Sequence, residues 1–436
     1  MKKIFKRLVV FVLVLATLLS LSGCELFDLP GLGDFNNEKK PPVVDFAKDV
    51  YFVEQGEQDR QHGLMDAVNK VERSVVAIER KTDTAIHCGS GVIVDVYSKN
   101  SETQQVVENE NEFYIITCHH VLGEGGNISV YLPDRNGRNY TDKDYDNAFK
   151  FTGKIESGVF GGEISLVGGD KVSDIAILKL NISERSNVTK DDIVEAKIPH
   201  ADYEISKAEE VFAIGNPTGS LPGTVSRGIV AYLDRETLFE SAGYMYIMQI
   251  NVDIYHGSSG GGLFNYYGEL VGITNGGNDS NSGINYSIPY KRSFLETGES
   301  DTGFIEISKQ LIASYTGENY GYVVGRWNFG VTISENTGSL GGSAQLKVES
   351  VVPGSNAALA GVEVGDIIKG ISYNDGASLK TSSITGTSSF QRAVHELNRH
   401  LTLGDSFTME VTRGLQMKTI TMNIQKQFIY FDTGNY

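Results

Sequence analysis

Ten short runs between Ser74 and Pro289 leave this chain few folds to choose from: SVVAIE, SGVIVDVY, FYIITC, ISVYL, DIAILKL, VFAIG, GIVAYL, MYIMQI, LVGIT and INYSIP. Each is apolar or alternating and is bounded by Gly, Asn, Asp or Pro, the pattern of short strands in a barrel or sandwich. Gly 49, Tyr 21 and Phe 20 favour the same turn-rich β architecture. Helical spacing appears at Leu64–Val71 before the series and at Phe304–Tyr315 after it. A second module then runs from near Arg326 to near Ile424, and no internal repeat joins the two.

The chain opens with a targeting segment. Lys2, Lys3, Lys6 and Arg7 precede an apolar stretch, Leu8 to Leu21, that is short for a membrane span. The stretch ends in Leu21-Ser22-Gly23-Cys24, which resembles the lipobox of bacterial lipoproteins. That resemblance implies cleavage before Cys24, lipidation of its thiol and a mature protein held on the extracytoplasmic face of a cell membrane. The polar, proline-bearing segment that follows reads as a tether. A net charge of −17 excludes a nucleic-acid partner, which needs a basic footprint. Cys88 and Cys118 remain after Cys24, either as a disulfide in an oxidising compartment or as two buried thiols.

Chemistry enters with three motifs in the order His, Asp, Ser. Thr117-Cys118-His119-His120-Val121 delivers a histidine at the end of a strand. Ser173-Asp174-Ile175-Ala176-Ile177-Leu178 supplies a carboxylate. Gly257-Ser258-Ser259-Gly260-Gly261 supplies a serine between glycines that allow a tight turn and close substrate approach. Asp170 lacks the apolar run that follows Asp174 and is set aside. On a strand, His119 and His120 would face opposite ways, and no Cys or His spacing completes a metal-ligand set. Neither a metal nor a cofactor is expected.

The spacing T-x-x-H, the D-I-A-I-L run and the G-x-S-G-G frame resemble trypsin-fold serine proteases of the HtrA/DegP family. So do CGSGVIVD (88–95), AIGNPTG (213–219), TVSRGIVAYLDR (224–235) and GELVGIT (268–274). The resemblance implies a mainly β protein, a double six-stranded β-barrel of the trypsin-like fold with a C-terminal PDZ domain, acting on misfolded or exposed polypeptides and often trimeric. It assigns His120 as base, Asp174 as its orienting carboxylate and Ser259 as nucleophile. The backbone N–H groups of Gly257 and Ser259 become the oxyanion hole. Domains divide as 1–23 signal peptide, 24–60 tether, 61–300 protease, 301–325 linker helix, 326–427 PDZ domain and 428–436 tail.

Departures from the family pattern carry their own expectations. Ser258 stands where these enzymes commonly have Asn and digestive trypsins have Asp. Activation by a cleaved N-terminus is therefore not expected, and control by loop ordering is. PDRNGRNYTDKDYDNAFK lengthens the segment between His120 and Asp174 into an exposed loop. Asp253 lies six residues before Ser259, where trypsin keeps the aspartate of its basic-specific pocket. With Ile273 and Thr274 it is a candidate wall of the S1 pocket, and the alternative is an exposed loop carboxylate.

Asn328-Phe329-Gly330-Val331 resembles the carboxylate-binding loop of PDZ domains, so Phe329, Gly330 and Val331 are expected to bind peptide C-termini. Phe390, Ala393, Val394 and Leu397 form one helical stripe, shared between the core and that groove. A dormant chaperone or peptide-binding scaffold that uses the PDZ domain is the alternative function.

Overall fold

The computed structural model describes residues 44–56, 62–107, 110–133, 149–185, 188–239, 243–277, 283–291, 303–336 and 344–431. The signal segment with Cys24 and most of the long run after Pro133 lie outside them.

The chain order begins β1 (Lys48–Phe52), α1 (Leu64–Val71), β2 (Val75–Lys81), β3 (Ile86–Val94), β4 (Val96–Asn100), β5 (Val106–Val107) and β6 (Glu112–Cys118). A single helical turn, α2 (His119–Leu122), leads to β7 (Gly126–Tyr131), β8 (Lys150–Ile155), β9 (Ile164–Asp170) and β10 (Ile175–Asn181). Seven of these strands form one antiparallel sheet in the order β8-β7-β2-β3-β6-β10-β9. Its edges meet without joining the ladder. A Cβ on Gly153 of β8 would lie 2.1 Å from the Ile164 carbonyl of β9. The first unit is thus a curled sheet of seven strands rather than a closed barrel of six.

The second unit closes fully. β11 (Glu210–Gly215), β12 (Thr224–Phe239), β13 (Gly243–Ile250), β14 (Gly262–Asn265), β15 (Leu270–Gly277) and β16 (Asn285–Pro289) form a barrel in the order β11-β12-β13-β16-β15-β14. One continuous core joins both units, with Ile116, Phe151, Phe212 and Phe264 fully buried in it. Each such side chain contributes about 1.5–3 kcal/mol by leaving water. α3 (Phe304–Ser314) adds Phe304, Ile307, Leu311 and Ile312 to the same core.

The segment read from sequence as a tether is folded from Lys48 onward. β1 pairs with β4, Lys48 opposite Asn100 and Phe52 opposite Val96, and Val50 and Phe52 are buried. The proline-bearing composition ends before this strand begins, so the run of alternating residues in KDVYF was hidden by its short length.

The C-terminal module has its own core around Phe329, Phe390 and Phe407. Its sheet runs β17 (Val331–Asn336), β18 (Gln345–Val351), β19 (Ile367–Asn374), β21 (Ser406–Arg413), β22 (Gln416–Asn423), with β20 (Leu379–Ser383) added on β19. α4 (Asn356–Ala360) is capped at one end by the Ser355 hydroxyl, which accepts from the Ala358 N–H, and at the other by left-handed Gly361. α5 (Thr387–His400) buries Phe390, Ala393 and Leu397, while Val394 stays half-buried beside them. Its outer face docks on the β12–β13 hairpin, where the Arg392 guanidinium lies 4.3 Å from the Tyr244 ring centre and His395 packs between Tyr244 and Tyr246.

Candidate active site

Strand register brings His120 and Asp174 together. β6 and β10 pair with Cys118 opposite Ile175, so His119, which follows one strand, lies beside Asp174, which precedes the other, and the next residue, His120, turns onto the Asp174 carboxylate. His119 and His120 do not share a strand. β6 ends at Cys118 and the chain turns at once into α2, which swings the two imidazoles to different environments. The His119 N–H donates to the Asp174 carbonyl at 2.9 Å, and the His120 N–H donates to Asp174 Oδ1 at 2.9 Å. Asp174 holds a left-handed φ of 55°, a conformation that Asp tolerates better than most side chains.

The side chains then meet head-on. His120 Nδ1 lies 2.6 Å from Asp174 Oδ2. Asn275 Nδ2 donates to that same oxygen, also at 2.6 Å. Asp174 is buried and His120 is 29% exposed on its side chain, so one face of the imidazole remains open to a substrate. Burial alone would lower the His120 pKa, but the charge and hydrogen bond of Asp174 outweigh it and raise the value. Burial alone would raise the Asp174 pKa, and the same pairing with His120 lowers it instead. These are two views of one interaction and count once.

Ser259 is brought to the same place by a loop fastened from both units. The Ser90 N–H donates to the Ser259 carbonyl at 2.8 Å, and the Ser90 hydroxyl donates to the Gly257 carbonyl at 2.9 Å. Thr117 in turn holds the Ser90 carbonyl at 2.7 Å. From the other side, Thr274 Oγ1 donates to the Ser258 carbonyl at 2.6 Å, and the Gly260 N–H donates to the Thr274 carbonyl at 2.7 Å. Gly257 and Gly260 have φ of 93° and 86°, and a Cβ on either would strike backbone oxygen within 2.3 Å. Only glycine fits there.

The Ser259 hydroxyl donates to the Asn275 carbonyl at 2.7 Å rather than to His120. The Gly257 and Ser259 N–H groups have no protein acceptor among the described residues. A pair of idle donors beside a serine hydroxyl, a buried carboxylate and a half-open imidazole is a setting for acyl transfer.

The sequence profile of the trypsin-like peptidase domain matches residues 89–273. The Haemophilus influenzae serine endoprotease DegS is 28% identical over 315 residues, 68% of this chain and 76% of the relative. The Bacillus subtilis serine protease Do-like HtrA is 30% identical over 313 residues, 67% of this chain and 59% of the relative. The Escherichia coli periplasmic pH-dependent serine endoprotease DegQ is 29% identical over 275 residues, 60% of this chain and 48% of the relative.

This chain belongs to the HtrA-type, trypsin-fold serine proteases.

Its reaction class is serine endoproteolysis. Within this HtrA-type chain, the structure revises several details of the sequence reading. Asp170 is buried, so burial does not distinguish it from Asp174. What does is its partners: Asp170 Oδ2 accepts from the Ser173 N–H at 3.2 Å and from Arg326 Nε at 3.3 Å, where Asp174 takes His120. Cys88 and Cys118 are free thiols. Cys118 is fully buried with its Sγ 3.4 Å from the Thr274 carbonyl, while Cys88 is half-buried against Gly219. Burial raises the pKa of both.

A cleft beside Ser258 is lined by Ala213, Gly215, Asp253, Ile254 and Thr274. Thr274 lines this cleft. Ile273 does not line it and is fully buried in the barrel core. Asp253 stands at the rim with its side chain exposed, and its carbonyl accepts from the Ser226 hydroxyl at 2.8 Å.

In the C-terminal module of this HtrA-type chain, Phe329 is buried, Gly330 has a φ of 78°, and Val331 begins β17, whose other edge carries no strand among the described residues. Glu335 on β17 accepts from the Thr387 N–H at 2.8 Å and so ties the strand to the start of α5.

Asn275 and Ser90 escaped the sequence reading. Both sit in quoted motifs or beside them, yet their roles depend on contacts across the chain that no spacing reveals. Glu236, His395 and Glu396 also cluster where α5 meets β12, but Arg392 already supplies positive charge there, 3.6 Å from Glu236.

Proposed function

We propose that this chain is a membrane-tethered, extracytoplasmic endopeptidase that cuts misfolded or exposed polypeptides with a Ser259–His120–Asp174 triad, and that its C-terminal module is a PDZ domain for peptide C-termini. The observation that carries the triad is the 2.6 Å approach of His120 Nδ1 to Asp174 Oδ2 beside the Ser259 loop. Ser259 Oγ first rotates off the Asn275 carbonyl. It then attacks the scissile carbonyl carbon while its proton passes to His120 Nε2. Asp174 keeps the proton on Nδ1 and stabilises the imidazolium. The oxyanion is held by the Gly257 and Ser259 N–H groups, each such donor being worth about 2.7–4 kcal/mol of barrier. His120 returns the proton to the leaving amine, and water repeats the cycle on the acyl-enzyme.

The free edge of β17 and the turn Phe329-Gly330-Val331 support β-augmentation by a peptide whose terminal carboxylate meets backbone N–H groups. Lipidation at Cys24 supplies the tether, since acyl chains add about 0.8 kcal/mol per buried CH₂. The DegQ relative is a periplasmic protease, which supports the same side of the membrane.

Fluorophosphonate labelling of the mature chain tests the triad: wild type should label and Ser259→Ala should not. The Ser259 to Asn275 bond favours a second reading, a dormant scaffold whose serine is held off its base. Under that reading the wild type stays unlabelled with and without C-terminal peptides.

A further inference from the structure

α2 carries His120 but cannot hold itself in place. A helical turn of four residues makes almost none of its own hydrogen bonds, so its end carbonyls need outside donors. Two residues supply them. Arg80 donates from Nε to the Val121 carbonyl and from Nη1 to the Gly125 carbonyl, each at 3.1 Å. The Tyr430 hydroxyl donates to the Gly123 carbonyl at 2.5 Å. Arg80 belongs to β2, within the protease fold. Tyr430 comes from beyond β22, the last strand of the C-terminal module.

The Tyr430 site is built for its ring. Tyr430 is 4% exposed, its ring lies 5.0 Å from that of His119, and a Cβ on Gly169 would come within 2.8 Å of it. The segment leading to it is stitched down at each step. Asn356 Oδ1 accepts from the Gln425 and Lys426 N–H groups at 2.9 and 3.0 Å, and its Nδ2 donates to the Asn328 carbonyl at 3.0 Å. Gln427 Nε2 donates to the Val323 carbonyl at 2.7 Å, and its Oε1 accepts from the Gly325 N–H at 3.1 Å. The Phe428 N–H donates to the Arg326 carbonyl at 2.8 Å, while Arg326 reaches buried Asp170. Hydrogen bonds and chain thus run unbroken from the loop at Asn328–Val331 to the turn that bears His120.

We propose that Tyr430 is a positioning residue for His120, delivered by the segment after β22, so that the protease site is complete only while that segment is seated. This rests on the triad reading given above. It also makes the loop Asn328–Val331 a neighbour, through Asn356, of the device that orients the base.

The test uses the full mature chain with Tyr430→Ala, Tyr430→Phe and Gln427→Ala. Turnover of a fluorogenic peptide is measured per active site, with the active fraction counted by fluorophosphonate. Tyr430→Ala should lower kcat by roughly ten- to a hundredfold at unchanged KM, the scale of a small misplacement of a reacting group. Tyr430→Phe keeps the ring, loses only the Gly123 bond and should cost about threefold; Gln427→Ala, which loosens the segment, should also lower kcat at unchanged KM. Water admitted by Tyr430→Ala lets His119 charge, beside Asp170, Lys171, Asp174 and His120, so the acid limb of kcat/KM should steepen from one proton to two. A lower melting temperature with kcat per site and limb unchanged overturns the proposal. Should Tyr430→Ala not fold, wild-type kcat in both Tyr430→Phe and Gln427→Ala overturns it. Wild type without Ser259-dependent labelling overturns the triad reading instead.

Discussion

The side-chain amide of Asn275 donates to Asp174 at the same oxygen that His120 faces, at the same 2.6 Å. The carboxylate is buried, so its charge is bearable only because these donors converge on it. The Asn275 carbonyl also accepts the Ser259 hydroxyl, which places one residue in contact with two members of the constellation. Asn275→Ala removes a hydrogen bond to a charged group, worth about 1.5–3 kcal/mol. Steady-state kinetics should show kcat lower by roughly ten- to a hundredfold. The acid limb of the rate profile should move to higher pH, because an undrained Asp174 charge binds the His120 proton more tightly. Unchanged kcat would remove Asn275 from the catalytic framework.

Asp174→Asn keeps the shape of the carboxylate but cannot hold the proton on His120 Nδ1. The expected loss in kcat is about 10⁴-fold, with substrate affinity retained. In the wild type, Asp174 raises the His120 pKa, so the base is free only above that raised value. The rate should fall as pH drops through a midpoint above about 6.5, the value of a free imidazole. A midpoint below it would mean that burial outweighs the carboxylate.

Much of this was legible in the chain. Ten runs announced themselves because each has three or more apolar positions bounded by turn residues. β9 did not, because Gly168 and Gly169 take up two of its positions, and β14 did not, because Gly262–Asn265 is only four residues long. His120, Asp174 and Ser259 were legible because each ends or begins a recognisable run. Their fastenings were not: Ser90 reaches Gly257 over 167 residues and Tyr430 reaches Gly123 over 307, distances at which sequence carries no register. Burial of Asp170 was equally hidden, since its partner Arg326 lies 156 residues away.

His119 makes the fold sensitive to acid. Burial, only partly offset by Asp174, holds its pKa at about 4, below the unfolded value of about 6.5. The unfolded chain therefore binds the extra proton between these values, and stability present above pH 6.5 is lost as pH falls towards 4. By linkage the loss is at most about 3 kcal/mol, and it is smaller because His119 is only half-buried. Urea unfolding at pH 7 and pH 4.5 should show this drop in wild type and a smaller one in His119→Gln. An equal drop in both would clear His119 of the effect.

Two free thiols should differ in reactivity. Cys88 is half-buried and Cys118 fully buried, and burial raises both pKa values. A thiol reagent at neutral pH should titrate Cys88 slowly and Cys118 only after denaturant. Reductant should leave the melting temperature unchanged. A reductant-dependent drop of several degrees would signal a disulfide after all.

Asp253 decides whether the cleft beside Ser258 selects a basic side chain. A trypsin-like preference needs a carboxylate desolvated at the pocket base, where its pairing with Lys or Arg is strong. Here the side chain is exposed at the rim, and the cleft wall is Ala213, Gly215, Ile254 and Thr274. An exposed ion pair is worth about 0–1 kcal/mol, so Asp253 can favour a basic residue by no more than roughly fivefold. The small, largely apolar cleft instead favours cleavage after small aliphatic residues. Profiling with a peptide library should return that preference in wild type and, nearly unchanged, in Asp253→Asn. A strong Lys or Arg signal that disappears in the variant would place the carboxylate inside the pocket during turnover, through a loop movement that carries Asp253 inward as Ser259 leaves the Asn275 carbonyl.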